Sequence, residues 1–207
     1  LRDGAQSVGI SFSVQDKIKI ARILDELQVD YIEAGNPGSN PKDMEFFELL
    51  AQNPLKHAKV TAFGATRKKN IAVEDDANIK SLLSANTACV TIFGKSWDIH
   101  VTDILRAELS ENLNMIRDTV RYLKEQGKEV VYDAEHFFDG YRANPDYALS
   151  TLQAAYESGA DCLCLCDTNG GSFPDFVMST TRLVKERFPV AVGIHAHDDA
   201  GMAAANS

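Results

Sequence analysis

What most limits the architectures open to this chain is a regular exchange, along all 207 residues, of short apolar runs for amphipathic stretches. Val29 to Glu33, Lys59 to Phe63, Ala88 to Phe93, Glu129 to Tyr132, Cys162 to Cys166 and the run from Val190 to His195 are strand-length, and all but the Cys-Leu alternation of Cys162 to Cys166 carry β-branched or aromatic residues. Between them the apolar spacing turns helical. One helix is capped by Ser13 and carries Val14, Ile18, Ala21, Ile23, Leu24 and Leu27; others run from about Asp43 to Ala51, from Val73 to about Ala85, and from Ser110 and Glu111 to Gln126. Pro145 and Pro174 each open another, the second ending near Phe188, and Ala200 to Ser207 begins a further loop and helix. Strands too buried to show a polar face, alternating strictly with helices, predict a parallel sheet.

Whether that sheet is open or closed follows from its loops. No Gly-x-Gly-x-x-Gly follows the first strand, and the Gly94-Lys95-Ser96 run has Cys89 where a phosphate-binding loop needs its first glycine. Polar residues gather instead after nearly every strand: Arg2 and Asp3, Glu33, Thr66 and Arg67, His100, Glu135, Thr168, His195 and His197. Loops that jointly build one site at the C-terminal face are the mark of a (β/α)8 TIM barrel, an α/β fold. Counting a strand expected before Leu1, the chain supplies seven. A full barrel takes about 250 residues, so the expectation is a single domain over residues 1–207, a barrel cut at both ends. The chain starts without Met, no signal peptide is read at its start, and the true N-terminus is expected further upstream.

Charge and cysteine usage then narrow the partners. Thirty acidic residues against 21 basic ones give a formal net charge of -9, and no long basic run exists, which argues against nucleic acid or an anionic membrane surface. The apolar segments are too short to span a bilayer. Cys162, Cys164 and Cys166 alternate with leucines and so share one face of a strand, a geometry unlike the paired turns that hold structural zinc. With Cys89 they read as buried free thiols in a reducing cytoplasm.

His195 and His197 point to the same side of the last strand, at its C-terminal end, with Asp198 and Asp199 just beyond. Two readings stand at this level: a hydrogen-bonded histidine pair, or half of a divalent-metal site that needs oxygen ligands from elsewhere. Arg67-Lys68-Lys69 likewise reads as a solvated loop or as a group of cations facing an anionic ligand.

Taken in order, Arg2-Asp3-Gly4, Glu33, Asp167-Thr168, and His195-Ala196-His197 followed by Ala204-Ala205-Asn206-Ser207 closely resemble the catalytic barrel of the metal-dependent acyl-CoA condensing and cleaving enzymes. That family includes 2-isopropylmalate synthase, homocitrate synthase and hydroxymethylglutaryl-CoA lyase, and the resemblance runs the whole length of the chain. Leu1 to Gln6, Pro37 to Asp43 and Ser96 to His100 are most similar to the branch whose acceptor is pyruvate. Asp198 stands where the synthases usually have Asn and the lyase often has Asp.

The resemblance implies a Claisen-type condensation of acetyl-CoA, as co-substrate, with a 2-keto acid, assisted by a divalent metal ion such as Mg, Mn or Zn. Asp3, His195 and His197 are its implied metal ligands, joined in relatives by an Asn that this chain does not reach. Arg2 and Glu33 are the implied catalytic residues, and Thr168, His100, Glu135 and Gln6 the implied substrate-binding ones. Also implied are a cytoplasmic homodimer acting on small molecules, a place in branched-chain amino acid synthesis, and family C-terminal regions beyond residue 207. Other branches of the family, a lyase-like enzyme and a non-catalytic metal-binding barrel remain the alternatives. Phe63, Phe93 and Trp97 are candidates for closing the acceptor pocket around a small keto acid.

Overall fold

A computed structural model describes residues 1–207. Its elements alternate as expected: α1 (Val14–Glu26), β1 (Tyr31–Gly35), α2 (Pro41–Gln52), β2 (Lys59–Ala65), α3 (Ala77–Ser84), β3 (Cys89–Lys95), α4 (Leu109–Glu125), β4 (Glu129–Glu135), α5 (Phe137–Ala143), α6 (Pro145–Glu157), β5 (Cys162–Asp167), α7 (Pro174–Arg187), β6 (Ala191–Ala196) and α8 (Ala203–Asn206). All six strands are parallel and pair in chain order, β1 to β6. The sheet curls: the Tyr31 hydroxyl on β1 reaches Glu129 on β4, and His195 on β6 comes within 3.6 Å of Asp3, which lies beside β1. The result is an incomplete barrel with two strands fewer than the eight of a closed one. No helix is long and apolar enough to cross a membrane.

Local chemistry explains the helix starts. Ser13 accepts from the Asp16 amide while the Asp16 carboxylate accepts from the Ser13 amide, a reciprocal cap that satisfies two orphan donors of α1. Asn40 and Asn144 cap α2 and α6, each followed by a proline at the first helical position.

Several boundaries differ from expectation for identifiable reasons. The helix expected from Val73 is broken into a 3-10 turn at Val73–Asp75 and α3, because the Asp76 carboxylate caps the amides of Asn78 and Ile79. The loop carrying Trp97 and His100 contains a π-helical turn, His100–Leu105, and α5 occupies part of what reads as loop after Glu135. Of the apolar face expected for α1, Val14 and Ala21 are buried and Ile18 and Leu24 pack half-buried against the core, while Ile23 and the capping Leu27 are exposed; Lys17 and Asp25 turn inward. The strands β2 to β4 extend about two residues beyond their apolar runs, since ladder hydrogen bonds continue whatever the side chains are.

Side-chain parity divides the sheet. Ile32, Ala62, Val90, Ile92, Val130, Tyr132, Leu163 and Leu165 join a buried cluster with helix residues such as Phe46, Leu82, Ile116, Leu152 and Val184. The alternate residues line the lumen, and they grow more polar toward the C-terminal ends: Cys89, Thr91, Phe93 and Lys95 on β3, or Val131, Asp133 and Glu135 on β4. The four cysteines are free thiols.

The loop after β1 is tied down from behind. Lys17 and Asp43 form an ion pair with both side chains under a tenth exposed; Lys17 also donates to the Ala34 carbonyl at 3.0 Å and Asp43 accepts from the Asn36 amide at 2.8 Å. Gly35 makes room for it: a Cβ there would stand 2.4 Å from the Asp43 carboxyl carbon.

Candidate active site

The C-terminal ends of β1 to β6 surround a cavity of about 300 Å³ lined by Arg2, Asp3, Gln6, Asn36, Phe63, Phe93, Asp133, Glu135, Cys166, Thr168, His195 and His197. Seven of the nine residues singled out from sequence alone stand on this wall, and Glu33 adjoins it through its bond to Arg2. His100 does neither: it packs behind the wall, its ring 4.8 Å from Trp97 and 4.5 Å from His136, with Nδ1 buried and unpartnered. Burial, together with the neighbouring His136 and Lys95, lowers its pKa. Trp97 is likewise absent from the wall, so Phe63 and Phe93 alone of the three expected aromatics close it.

At the centre lie two imidazoles and a carboxylate. Asp3 Oδ2 is 3.6 Å from His195 Nε2 and 3.7 Å from His197 Nε2, and the three donor atoms lie within 4.8 Å of one another. Two borderline nitrogen donors and one hard oxygen donor, converging and half-exposed, suit a divalent cation with positions left open for a ligand. Asp133, Cys166 and His195 make a second such group. There the thiol is a poor donor, because the contact with Cys164 and burial push its pKa well above the usual range and a metal needs the thiolate.

Arg2 is held on three sides. Its Nε donates to Glu33 Oε1 at 2.6 Å, its Nη1 is 3.2 Å from Asp3, and its guanidinium carbon sits 3.7 Å over the Phe63 ring. Phe63 in turn stacks on Phe93 at 5.2 Å. Burial raises the Glu33 pKa, and the Arg2 charge opposes that rise. The guanidinium is thereby fixed in a plane, its remaining donors directed at the cavity.

On the opposite wall, Thr168 Oγ1 accepts from the His136 amide at 2.9 Å, which leaves its own proton free for a ligand. Glu135 is paired with Lys95, the residue directly across the ladder. Arg67 is neither solvated nor free for an anionic ligand: it is 7 % exposed and bonds Asp118 and Glu111 of α4, both at 2.9 Å. Asp198 accepts from the Ala203 amide at 2.9 Å and lies off the cavity wall.

Asn36, Asp133 and Cys166 are wall residues that sequence reasoning passed over. For Asp133 a signal existed: it shares the lumen parity of Glu135, two residues on.

A family model described as HMGL-like matches residues 1–207. The chain is 56% identical over 208 residues to the (R)-citramalate synthase of Aquifex aeolicus and 53% identical over 216 residues to that of Synechocystis sp., in each case over 100% of this chain and 39% of the relative. It is 35% identical over 208 residues to the 2-isopropylmalate synthase of Sulfolobus acidocaldarius, again over 100% of this chain and 51% of that protein. The chain thus spans about two fifths of the length of the citramalate synthases it matches. Among solved structures, the HMG-CoA lyase of Brucella melitensis superposes with a TM-score of 0.77 at 18% identity, covering 99% of this chain and 72% of that one. This likeness supports the barrel fold.

Proposed function

The chain belongs to the HMGL-like family, and from that premise we propose that it is a catalytic barrel segment of an enzyme that condenses acetyl-CoA with pyruvate to (R)-citramalate. The identity to (R)-citramalate synthases over the whole chain, well above that to the 2-isopropylmalate synthase, is the observation that carries the choice of acceptor.

In this reading Asp3, His195 and His197 hold a divalent ion, Mg or Mn by preference, with Zn as a further candidate. When bound, the ion would act as a Lewis acid on the keto acid's ketone and carboxylate oxygens. The chain's own residues do the rest. Thr168 donates its hydroxyl proton to the acceptor's carboxylate. Arg2, locked by Glu33, stabilises negative charge that develops on a reacting oxygen, and costs no reorganisation because it is already in place. Phe63 and Phe93 fill the volume that a branched acceptor would need. Gln6 and Glu135 complete the wall. A proton leaves the acetyl methyl group, the enolate carbon so formed bonds to the ketone carbon while the C=O π pair moves to oxygen and takes up a proton, and water then cleaves the thioester to release CoA and the free carboxylate. The neighbouring cavity of about 450 Å³, which shares Phe93 and is rimmed by Lys68, Lys69 and Lys95, accommodates the CoA arm.

The same reading places the protein in the cytoplasm as a homodimer, supplying a branched 2-hydroxy diacid to isoleucine synthesis. Three thiols in one strand and the acyl-CoA chemistry support the location. Free CoA release by the full-length protein with a panel of 2-keto acids tests the assignment. Pyruvate should give the highest kcat/KM; a preference for 2-ketoisovalerate would move the protein to the isopropylmalate branch, and cleavage of a hydroxymethylglutaryl thioester without condensation would make it a lyase.

A further inference from the structure

The two ring nitrogens of His195 face two different carboxylates. Nε2 looks toward Asp3 and His197 across the cavity, while Nδ1 stands 3.8 Å from Asp133 Oδ2 on the neighbouring side of the lumen. Asp133 has only 7 % of its side chain exposed and no lysine or arginine within 4 Å of its carboxylate; Lys95 is taken by Glu135 and Arg2 by Glu33. A carboxylate that deep loses most of its hydration, and donors must face it in exchange. The donors available are the thiol of Cys164, opposite it in the β4–β5 ladder, and the His195 ring.

We propose that Asp133 is the positioning residue of this site: its carboxylate faces and accepts from His195 Nδ1–H, which keeps the proton on Nδ1 and fixes the tautomer whose Nε2 lone pair points at the place where Asp3 and His197 converge. At 3.8 Å the pair is an electrostatic contact longer than a hydrogen bond, and such contacts commonly tighten when a site fills. A histidine free to exchange tautomers and rotate presents its lone pair only part of the time; a buried carboxylate behind it removes that loss. Asp133 lines the cavity, and the role assigned to it is exerted through His195. The inference rests on the metal site in the reading above, but its first test does not.

That test is the tautomer of His195 in metal-free, full-length protein carrying 15N-histidine, assigned by comparison with His195→Gln, at a pH where the ring is neutral. The Nδ1–H form should dominate, should weaken in Asp133→Asn, which keeps an acceptor without the charge, and should be lost in Asp133→Ala. A wild-type ring protonated on Nε2 overturns the proposal whether or not a metal binds. The second test is Mn(II) affinity by calorimetry, where Asp133→Ala should raise Kd by about 10- to 100-fold and Asp133→Asn by less. Wild-type affinity in Asp133→Ala also overturns it. A thiolate-to-metal charge-transfer band on Co(II) loading of the wild type would do so too, by placing the ion on Cys166 and Asp133. A wild type that binds no Mn(II) yet shows the Nδ1–H tautomer would leave Asp133 in its role and remove only the metal reading.

Discussion

The two ends of the lumen carry charge in opposite ways. At the N-terminal end, Tyr31 and Lys59 both donate to Glu129, with Lys59 Nζ at 2.7 Å from the carboxylate, and the three groups neutralise one another across the barrel from β1 to β4. At the C-terminal end, Asp3, Asp133 and Glu135 face the cavity and Glu33 adjoins it through Arg2, with Arg2 and Lys95 the only lysine or arginine paired to them. A layer that satisfies itself holds the fold. A layer left with excess negative charge and two imidazoles suits a cation, which is what the proposed reading puts there.

The sharpest way to break this contrast is to remove a central donor. His195→Ala should abolish measurable Mn(II) binding, a loss of at least about 100-fold, while the unfolding temperature of the metal-free protein barely changes; calorimetry and thermal unfolding report the two separately. A large loss of stability without loss of binding would make the two ends alike.

Arg2→Lys comes next. Ammonium lacks the planar fork that Glu33 and Phe63 hold, so turnover should fall by about 100- to 1000-fold with the keto acid's affinity nearly unchanged. Steady-state kinetics decide it: lost affinity with turnover kept would assign Arg2 to ground-state binding.

Phe63→Ala sharpens the comparison within the site. Opening the wall should shift the ratio of kcat/KM for 2-ketoisovalerate over pyruvate upward by about 10- to 100-fold. An unchanged ratio would place acceptor selection elsewhere.

The smallest effect belongs to the self-neutralised end. Burial alone would raise the Glu129 pKa, but the hydrogen bonds from Lys59 and Tyr31 outweigh it and the value is lowered. A depressed carboxyl stabilises the fold above its unfolded pKa of about 4.3, and that contribution is lost as pH falls through the lower folded value. Glu129→Gln should therefore lower the unfolding temperature slightly at neutral pH, the gap from wild type closing below about pH 4, with Mn(II) binding untouched at every pH.

Much of this was legible without coordinates. Strand and helix alternation is a local property, so six parallel strands, the Ser13 cap and the helix starts at Pro145 and Pro174 could be read from the chain, whereas the caps Asn40 and Asn144 were not singled out. The histidine pair was legible because a strand's period of two is fixed by the backbone. The break before α3, the π-helical turn at His100–Leu105 and the helix α5 were not, since each depends on a tertiary partner outranking local propensity.

What the sequence alone determined, then, is the parallel α/β architecture and the set of polar residues delivered to one rim, because chain direction in a parallel sheet puts every strand's C-terminal end on the same side. What only the tertiary structure decided is who meets whom there. Curling of the sheet brings Asp3 to His195 and His197, takes His100 behind the wall, commits Arg67 to Asp118 and Glu111, and turns Asp133 toward a ring on β6. Those choices depend on distances across the lumen between residues far apart in the chain, and no local period encodes a distance of that kind.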